Sequence, residues 1–529
     1  MPSAAPSPAS SSLESLEEGA PTRDRKRRAG STHGPARGSL PQRPGRRERW
    51  AARYTIALLG FLGLAVEYSL RVNLSIAIVA MAGTSEVSVA TNSSLDICPR
   101  YEGDAQIERK LIEGEFDWDE QTQGIMLGSF FYGYTATNFL GGRAAEYLGG
   151  RLVFGLGTIL SSVIALLTPM CARMSQEFFI VSRILTGAAQ GVTVPALFIL
   201  MATWFPPEEK AKFGAFIKGG MQFGTVVTMV LGGWLSGSDQ GNWPMTFYVF
   251  GGLGLVWGIP WFLLVHDRPE QHPRISHAEL QYIQANMHAV KKAEVVSVPW
   301  RAMLTSAPVW ACVIIASGSS FGFQTLLSEM PTYLANIQHF DMNSSGLMSA
   351  LPYLCMWIFG LSWGVCMDRL AAAGLLSVTA VRRLSTGFAH YVPAVALVVM
   401  CFVDCNSTLA MVVLCLAVGA CGSAYSGNAL AEQDIAPNLT GTLMGITNTM
   451  GAVMGFIAPS VTGAITQGRQ GSLGAWRTVF LVSAANYVVT TTLYMLTMSA
   501  QVQPWNHSQK SGDGREDPEG APALEKLKS

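Results

Sequence analysis

Two arginines inside apolar segments are the residues of this chain best suited to bind a ligand. Arg71 lies within Glu67–Leu74, and Arg183 lies in a second apolar stretch. A guanidinium group is costly inside a membrane, and it binds carboxylate or phosphate oxygens through paired hydrogen bonds. With about 1.5 Å of rise per helical residue, both side chains would lie roughly 10 to 16 Å below one membrane surface. The pair therefore predicts a site for a small anion.

Other polar residues in apolar segments leave alternatives open. Glu67 precedes Arg71 by one helical turn, so it could neutralise that arginine inside the protein. Glu329, two residues before Pro331, either contacts a transport pathway or reaches water at the membrane surface. Tyr132 either offers a hydroxyl group to a substrate or belongs to a packing stripe. We take Tyr132 as a third substrate ligand, and Glu67 and Glu329 as candidates for coupling to an ion.

The composition is that of a polytopic membrane protein. Of 529 residues, 49% are apolar and only 14% are charged, whereas soluble domains carry about 25% charged residues. This excludes whole-chain disorder, a disulfide-stapled secreted domain and a nucleic-acid-binding protein. Motifs of ATP-driven, zinc-dependent or serine-dependent enzymes are absent, so we expect no enzyme, no catalytic residue, no metal site and no cofactor beyond a coupling ion, sodium or proton. Cys98, Cys171 and Cys405 lie near predicted outer ends and could pair in any combination.

Twelve apolar stretches are long enough to span a bilayer as helices, since a span needs roughly 20 residues. The predicted fold is an all-α membrane protein with twelve transmembrane helices. The stretches are residues 54–82, 120–142, 150–171, 177–204, 211–236, 244–265, 306–335, 345–367, 381–403, 408–430, 440–467 and 474–499.

The distribution of basic residues predicts the orientation. The first 53 residues contain 11 Lys or Arg, whereas residues 83–118 contain three against eight acids. Basic segments stay in the cytoplasm, so we place both tails there and the 83–118 loop outside or in a lumen. Asn92 lies in that loop within an Asn-Ser-Ser glycosylation sequence.

The chain divides into two halves that repeat weakly. The predicted domains are a disordered tail (1–50), a six-helix bundle (51–265), a cytoplasmic linker with an amphipathic helix capped by Ser276 (266–305), a second six-helix bundle (306–499) and a tail (500–529). Six plus six helices are typical of transporters, whose site lies between the halves. Charged residues at the cytoplasmic ends are predicted to form gate salt bridges: Arg143, Glu146, Asp368, Arg369 and Asp434.

Eight short motifs together resemble the anion:cation symporter family of the major facilitator superfamily. They are Arg71–Ser75, Trp118–Gly124, Gly128–Tyr134, Arg183–Gly187, Gly191–Pro195, Leu351–Tyr353, Asp434–Pro437 and Gly445–Asn448. The resemblance covers about residues 50 to 505. It implies two six-helix bundles that rock around a central site, with Arg71 and Arg183 at the positions of the family's two substrate-region arginines.

Departures from the family pattern narrow the expected function. Sialin-like members carry acids three and seven residues after the helix 4 arginine, where this chain has Thr186 and Gln190. We take these two residues as further coupling candidates, although a neutral pair cannot carry a proton. A third arginine of the glutamate transporters corresponds to Ser319, which disfavours glutamate. We therefore expect a monomeric transporter of inorganic phosphate or an organic anion, coupled to sodium or membrane potential, in the plasma membrane or an endolysosomal or vesicular membrane.

The sequence also allows two alternative functions. One is a sialin-like, proton-coupled symporter of an acidic sugar in lysosomes. The other is a receptor or scaffold that has a transporter fold but carries nothing. In both alternatives the protein lies in a lipid bilayer, and we expect no nucleic-acid partner.

Overall fold

The computed structural model describes residues 51–82, 98, 114–237, 242–288, 298–340, 342–437 and 439–506. The described residues form sixteen α-helices and no strand. The helices are α1 (Ala52–Ala82), α2 (Glu120–Leu148), α3 (Gly150–Met174), α4 (Gln176–Gly191), α5 (Thr193–Trp204), α6 (Pro207–Ser236), α7 (Trp243–Leu264), α8 (His277–His288), α9 (Trp300–Leu304), α10 (Ala307–Asn336), α11 (Met342–Ala372), α12 (Val378–Met400), α13 (Ser407–Cys421), α14 (Ala431–Ile435), α15 (Thr440–Thr466) and α16 (Leu473–Thr497).

The twelve predicted spans all fall on helices. The fourth is divided at Val192 into α4 and α5, and the tenth ends as α-helix at Cys421 and continues as short 3-10 turns. By length and composition, eleven helical stretches of the described residues can cross a membrane. The remaining long helix, α2, falls short in hydropathy because it contains many Gln, Asn, Thr and Gly residues. The arrangement is consistent with twelve transmembrane helices.

Glycines bring α2 and α4 into backbone contact. A Cβ atom at Gly187 would overlap the carbonyl oxygen of Phe130, and one at Gly133 would overlap that of Ile184. Small residues at such crossings let membrane helices approach closely, where dispersion forces and weak hydrogen bonds hold them. The crossing fixes α4, and with it Arg183, next to the centre of the N-terminal half (α1–α7).

The linker helix α8 is tied to the start of α1. The hydroxyl group of Ser276 accepts a hydrogen bond from the backbone N–H of Glu279 at 3.1 Å, so Ser276 caps α8 as predicted. The buried carboxylate of Glu279 accepts hydrogen bonds from the N–H groups of Ala52 and Arg53, at 3.0 and 3.2 Å. It thereby satisfies two backbone donors at the N-terminus of α1 that have no partner within the helix.

Hydrogen bonds join the two halves on one side of the molecule, which we call the outer side because it carries the α1–α2 connection. The N–H of Gln121 donates to Gln467 at 2.8 Å, and the Gln467 amide donates to Asp119 at 2.9 Å. The N–H of Gly468 donates to the Glu120 carboxylate at 3.0 Å. These contacts link the start of α2 to the end of α15, so the structure is closed on the outer side.

The opposite end of α15 is less crowded. A Cβ atom at Gly441 or at Gly445 would meet no atom within 4 Å, whereas one at Gly463, near the outer end, would lie 2.5 Å from the carbonyl oxygen of Glu120. Contact between the halves along α15 is therefore concentrated on the outer side.

A disulfide bond between Cys98 and Cys405 also joins the halves. Cys98 lies in the α1–α2 connection and Cys405 in the α12–α13 connection. Cys171, the third candidate, is a free thiol. The imidazole of His339, in the α10–α11 connection, lies 3.1 Å from the carbonyl oxygen of Cys98. A residue that follows α1 in the chain is therefore fixed to the C-terminal half (α10–α16).

We expect this disulfide to keep the halves covalently joined after the linker is cut. A protease site inserted between α8 and α9 would give two fragments that run as one band on a denaturing gel without reductant and separate with reductant. Cys405→Ser should separate them without reductant, whereas Cys171→Ser should not. Separation of the wild-type fragments in the absence of reductant would show that the bond does not form.

Candidate functional site

A small cavity lies between the two halves, and both predicted arginines line it. Its polar lining comprises Arg71 and Ser75 of α1, Arg183 of α4, and Gln324 and Ser328 of α10. The remaining lining is apolar and includes two aromatic rings of α2. A small concave site with convergent donors and apolar walls is the usual form of a ligand pocket, and every charged group lining this cavity is positive.

Arg71 has aromatic neighbours and no carboxylate partner among the described residues. Its guanidinium carbon lies 4.5 Å from the ring centre of Phe131, 5.2 Å from that of Tyr68 and 5.4 Å from that of Phe130. Its Nε has no hydrogen-bond partner. Ring faces attract cations but provide no hydrogen-bond acceptor as strong as a carboxylate oxygen. The donors of Arg71 are therefore left for a group that enters the cavity.

Arg183 is buried, with 3% of its surface exposed, and contacts the backbone of α1. It donates to the carbonyl oxygens of Leu70 and Arg71, at 3.2 and 3.1 Å. These dipoles solvate the guanidinium group without cancelling its charge. Arg183 thus binds the backbone of α1 at Leu70 and at Arg71 itself. The two positive charges therefore line the same cavity.

Glu67 does not neutralise Arg71. Its two carboxylate oxygens accept hydrogen bonds from the hydroxyl groups of Thr158, at 2.8 Å, and Thr193, at 3.0 Å. The side-chain amide of Gln190 donates to the Glu67 carbonyl oxygen at 3.2 Å. The spacing of one helical turn permits a pair with Arg71, but Glu67 is bonded instead to Thr158 of α3 and Thr193 of α5.

The other predicted coupling residue of α4 is also buried. The Thr186 hydroxyl group donates to the carbonyl oxygen of Ser182, in its own helix, at 2.8 Å. Thr186 and Gln190 therefore form a neutral, hydrogen-bonded strip on α4 beside Arg183.

Two residues of α10 that the sequence analysis missed contribute to the cavity. The amide of Gln324 donates to the Ser328 hydroxyl group at 2.7 Å, and both side chains line the cavity opposite the arginines. Their spacing of four residues inside an apolar helix is the signal that would have identified them. They give the site polar groups from both halves of the protein.

The prediction for Tyr132 needs correction, because its side chain does not line the arginine cavity. It is 42% exposed, and its ring lies 4.6 Å from that of Phe456 in α15. Phe130 and Phe131 line the cavity instead. Successive side chains on a helix point about 100° apart, so one segment cannot direct all its aromatic residues to the same place.

The gate residues that are described do not pair across the halves. Asp434 forms its ion pair with Arg382 of α12, so both partners belong to the C-terminal half. Asp368 and Arg369 are exposed near the end of α11. The two remaining gate side chains and the glycosylation site lie outside the described residues: Arg143, Glu146 and Asn92.

A separate ion pair lies on the outer side of the N-terminal half. The Glu115 carboxylate accepts hydrogen bonds from Arg173, at 2.7 Å, and from the Trp243 indole, at 2.9 Å. The bond from Arg173 is the main cause that lowers the pKa of Glu115 below its usual 4.5. Glu115 consequently stays charged at mildly acidic pH, and Arg173 has a carboxylate partner, which Arg71 lacks among the described residues.

Comparison with known proteins identifies relatives along most of the chain. The family model of the Major Facilitator Superfamily matches residues 110–459. A putative inorganic phosphate cotransporter of Drosophila melanogaster is 35% identical over 92% of this chain and 90% of its own length. Human sialin is 35% identical over 86% of this chain and 91% of its own. Human vesicular glutamate transporter 2 is 32% identical over 87% and 76%.

Solved structures support the same fold. A bacterial homolog of the human lysosomal transporter Spinster, in an inward-facing and occupied conformation, matches with a TM-score of 0.62 at 13% identity, over 85% of this chain and 97% of the other. A D-xylose-proton symporter matches with a TM-score of 0.62 at 11% identity, over 85% and 100%. At these identities the likeness establishes the fold alone.

Proposed function

Because the chain belongs to the major facilitator superfamily, and within it to the anion:cation symporter family, we propose that it transports a small anion by alternating access. The observation that carries the proposal is the pair Arg71 and Arg183, which share a cavity between the halves without a carboxylate partner among the described residues. Two cations that line one cavity without a described carboxylate partner favour an anionic ligand.

The substrate we propose is inorganic phosphate or a small organic anion. The cavity between the halves is small. Its donors come from Arg71 and Arg183 on one side and from Gln324 and Ser328 on the other, so a bound oxyanion would contact both halves. A ligand that bridges the halves stabilises the closed intermediate through which alternating access proceeds.

The coupling ion has two candidates. The neutral Thr186 and Gln190 favour sodium or membrane potential, as the sequence predicts. Proton coupling, as in the sialin-like alternative, is favoured by two carboxyl groups that are buried without a cation, Glu67 and Glu329. We propose a monomer with both tails in the cytoplasm, in the plasma membrane or in an endolysosomal or vesicular membrane.

The proposal is tested by flux measurements on the purified full chain in proteoliposomes. Labelled inorganic phosphate, glutamate and sialic acid are offered in turn under an imposed sodium gradient, pH gradient or voltage. We expect accumulation of phosphate or of another anion that exceeds uptake by empty liposomes and is abolished when the gradient is collapsed. Absence of flux for every anion under every gradient would reject transport and favour the receptor or scaffold alternative.

A further inference from the structure

The C-terminal half contains a second small cavity that shares no lining residue with the arginine cavity. It lies among α10, α13 and α16, and its walls include Leu414, Trp476 and Phe480. The carboxyl group of Glu329 lines this otherwise largely apolar space. Only 7% of the Glu329 surface is exposed, and its Oε1 has no hydrogen-bond partner.

Among the described residues, no cation pairs with Glu329 or lines its cavity. From its own helix Tyr333 lines the cavity, and the Tyr333 hydroxyl group already accepts a hydrogen bond from Gln338 at 3.0 Å. Every other described α-helix packed against α10 except α15 carries titratable groups. They are Arg53, Tyr54, Glu67, Tyr68 and Arg71 of α1, Arg301 of α9, Tyr353, Cys355, Cys366, Asp368 and Arg369 of α11, Cys415 and Cys421 of α13, Glu432 and Asp434 of α14, and Arg477, Tyr487 and Tyr494 of α16. None of them lines the cavity around Glu329. Arg477 pairs with Asp404 on the outer side, and Arg71 lines the first cavity.

An ionised carboxylate in this position would lose its water and gain neither a cation nor a hydrogen-bond donor. Such a group costs several kcal/mol or more inside a protein, and it takes up a proton instead. Glu67 differs in its contacts, because the hydroxyl groups of Thr158 and Thr193 lie within hydrogen-bond distance of its two carboxyl oxygens. In the outer-closed structure, therefore, the surroundings of Glu329 favour the protonated acid.

The helix α10 connects this carboxyl group to the anion site. Ser328 faces the arginine cavity, and the next residue, Glu329, faces the second cavity. Pro331 has no N–H to bond the carbonyl oxygen of Leu327, so the helix can bend at this turn. If α10 bends there when the outer side opens, Ser328 and Glu329 move together.

We propose that Glu329 is a proton-binding site that couples anion transport to a proton gradient. The carboxylate takes a proton from the outer water when α10 bends away on the outer side, carries it through the closed state as the neutral acid, and releases it to the cytoplasmic side. No other bond forms or breaks. The inference rests on the proposed transport function and names the coupling ion for it.

The protonation state is measured without any substrate. Infrared spectra of the purified full chain in lipid at about pH 7 should contain the carbonyl stretch of a protonated carboxylic acid. The spectrum of Glu329→Gln should lack that band. The spectrum of Glu67→Gln, the matched buried acid, should still contain it. A band that survives in Glu329→Gln and disappears in Glu67→Gln would overturn the assignment.

Transport then tests the coupling, with labelled inorganic phosphate as the probe. Glutamine resembles the protonated acid, so the phosphate counterflow of Glu329→Gln should stay within about threefold of wild type. Its accumulation of phosphate under a pH gradient should be at least tenfold lower than that of wild type. Equal loss of both activities would indicate a structural role and contradict the proposal. If wild-type protein shows no phosphate counterflow, the phosphate function fails, and the infrared result still decides the state of Glu329.

Discussion

Replacement of Arg71 by glutamine is expected to lower transport by on the order of 100-fold or more. Each hydrogen bond to a charged group contributes about 1.5–3 kcal/mol, and a bidentate guanidinium pair forms two. Loss of roughly 3 kcal/mol or more in binding corresponds to about two orders of magnitude. Among the described residues Arg71 has aromatic rings as neighbours and no carboxylate partner, so the substitution leaves no described carboxylate unpaired. Initial rates of phosphate counterflow in proteoliposomes measure the effect.

Three further variants distinguish the effect of the arginine's charge from the effects of its donor geometry and of its contribution to stability. Arg71→Lys keeps the charge but loses the planar pair of donors, so it should fall between wild type and Arg71→Gln. Arg183→Gln should lose transport and some thermal stability, because Arg183 also holds two carbonyl groups of α1. Arg173→Gln, outside the site, should transport normally. Normal counterflow in Arg71→Gln would show that Arg71 does not bind the anion.

The helices and the two arginines were predictable from the sequence because the energetic cost of polar groups in lipid determines both. Helices were predictable because lipid leaves backbone groups no other partner. The arginines stood out because charges in apolar segments are rare. Both arguments depend on residue type and need no knowledge of how the helices pack.

Details that depend on packing were not predictable. Tyr132 and Phe131 are neighbours in the chain, but only the second lines the cavity, because the rotation of α2 is set by its contacts with α4 and α15. Glu67 has the spacing to pair with Arg71, yet α3 and α5 supply nearer donors. Three cysteines allowed several pairings, and only the packing of the outer connections selects Cys98 with Cys405.

The helix α1 is held at three levels by other elements of the N-terminal half and the linker. Glu279 binds its first N–H groups, Gln190 binds the carbonyl oxygen of Glu67, and Arg183 binds two carbonyl oxygens beside the anion cavity. A helix anchored in this way moves with its bundle as a rigid element. Rocking of the two halves would then shift Arg71 relative to Ser328 without distorting the arginine pair.

Gly187→Ala is expected to destabilise the protein by about 2–3 kcal/mol, and Gly187→Val by more. The physical reason is overlap: the added Cβ would occupy the position of the Phe130 carbonyl oxygen, so α2 and α4 must separate. Arg183 lies one helical turn from this crossing and would move with α4. Thermal unfolding of the purified protein in detergent measures the loss of stability, and counterflow measures the displacement of the arginine.

Gly252→Ala is the matched control, since Gly252 also lies within a helix of the N-terminal half and a Cβ there would meet no atom within 4 Å. Alanine is the better helix former by roughly 1 kcal/mol, so this variant should unfold at the wild-type temperature or slightly above it. If Gly187→Ala and Gly252→Ala unfold alike, backbone contact between α2 and α4 is not what fixes the position of Arg183. If Gly187→Ala unfolds earlier and also loses transport, close packing of these two helices is a condition for placing both arginines in one cavity.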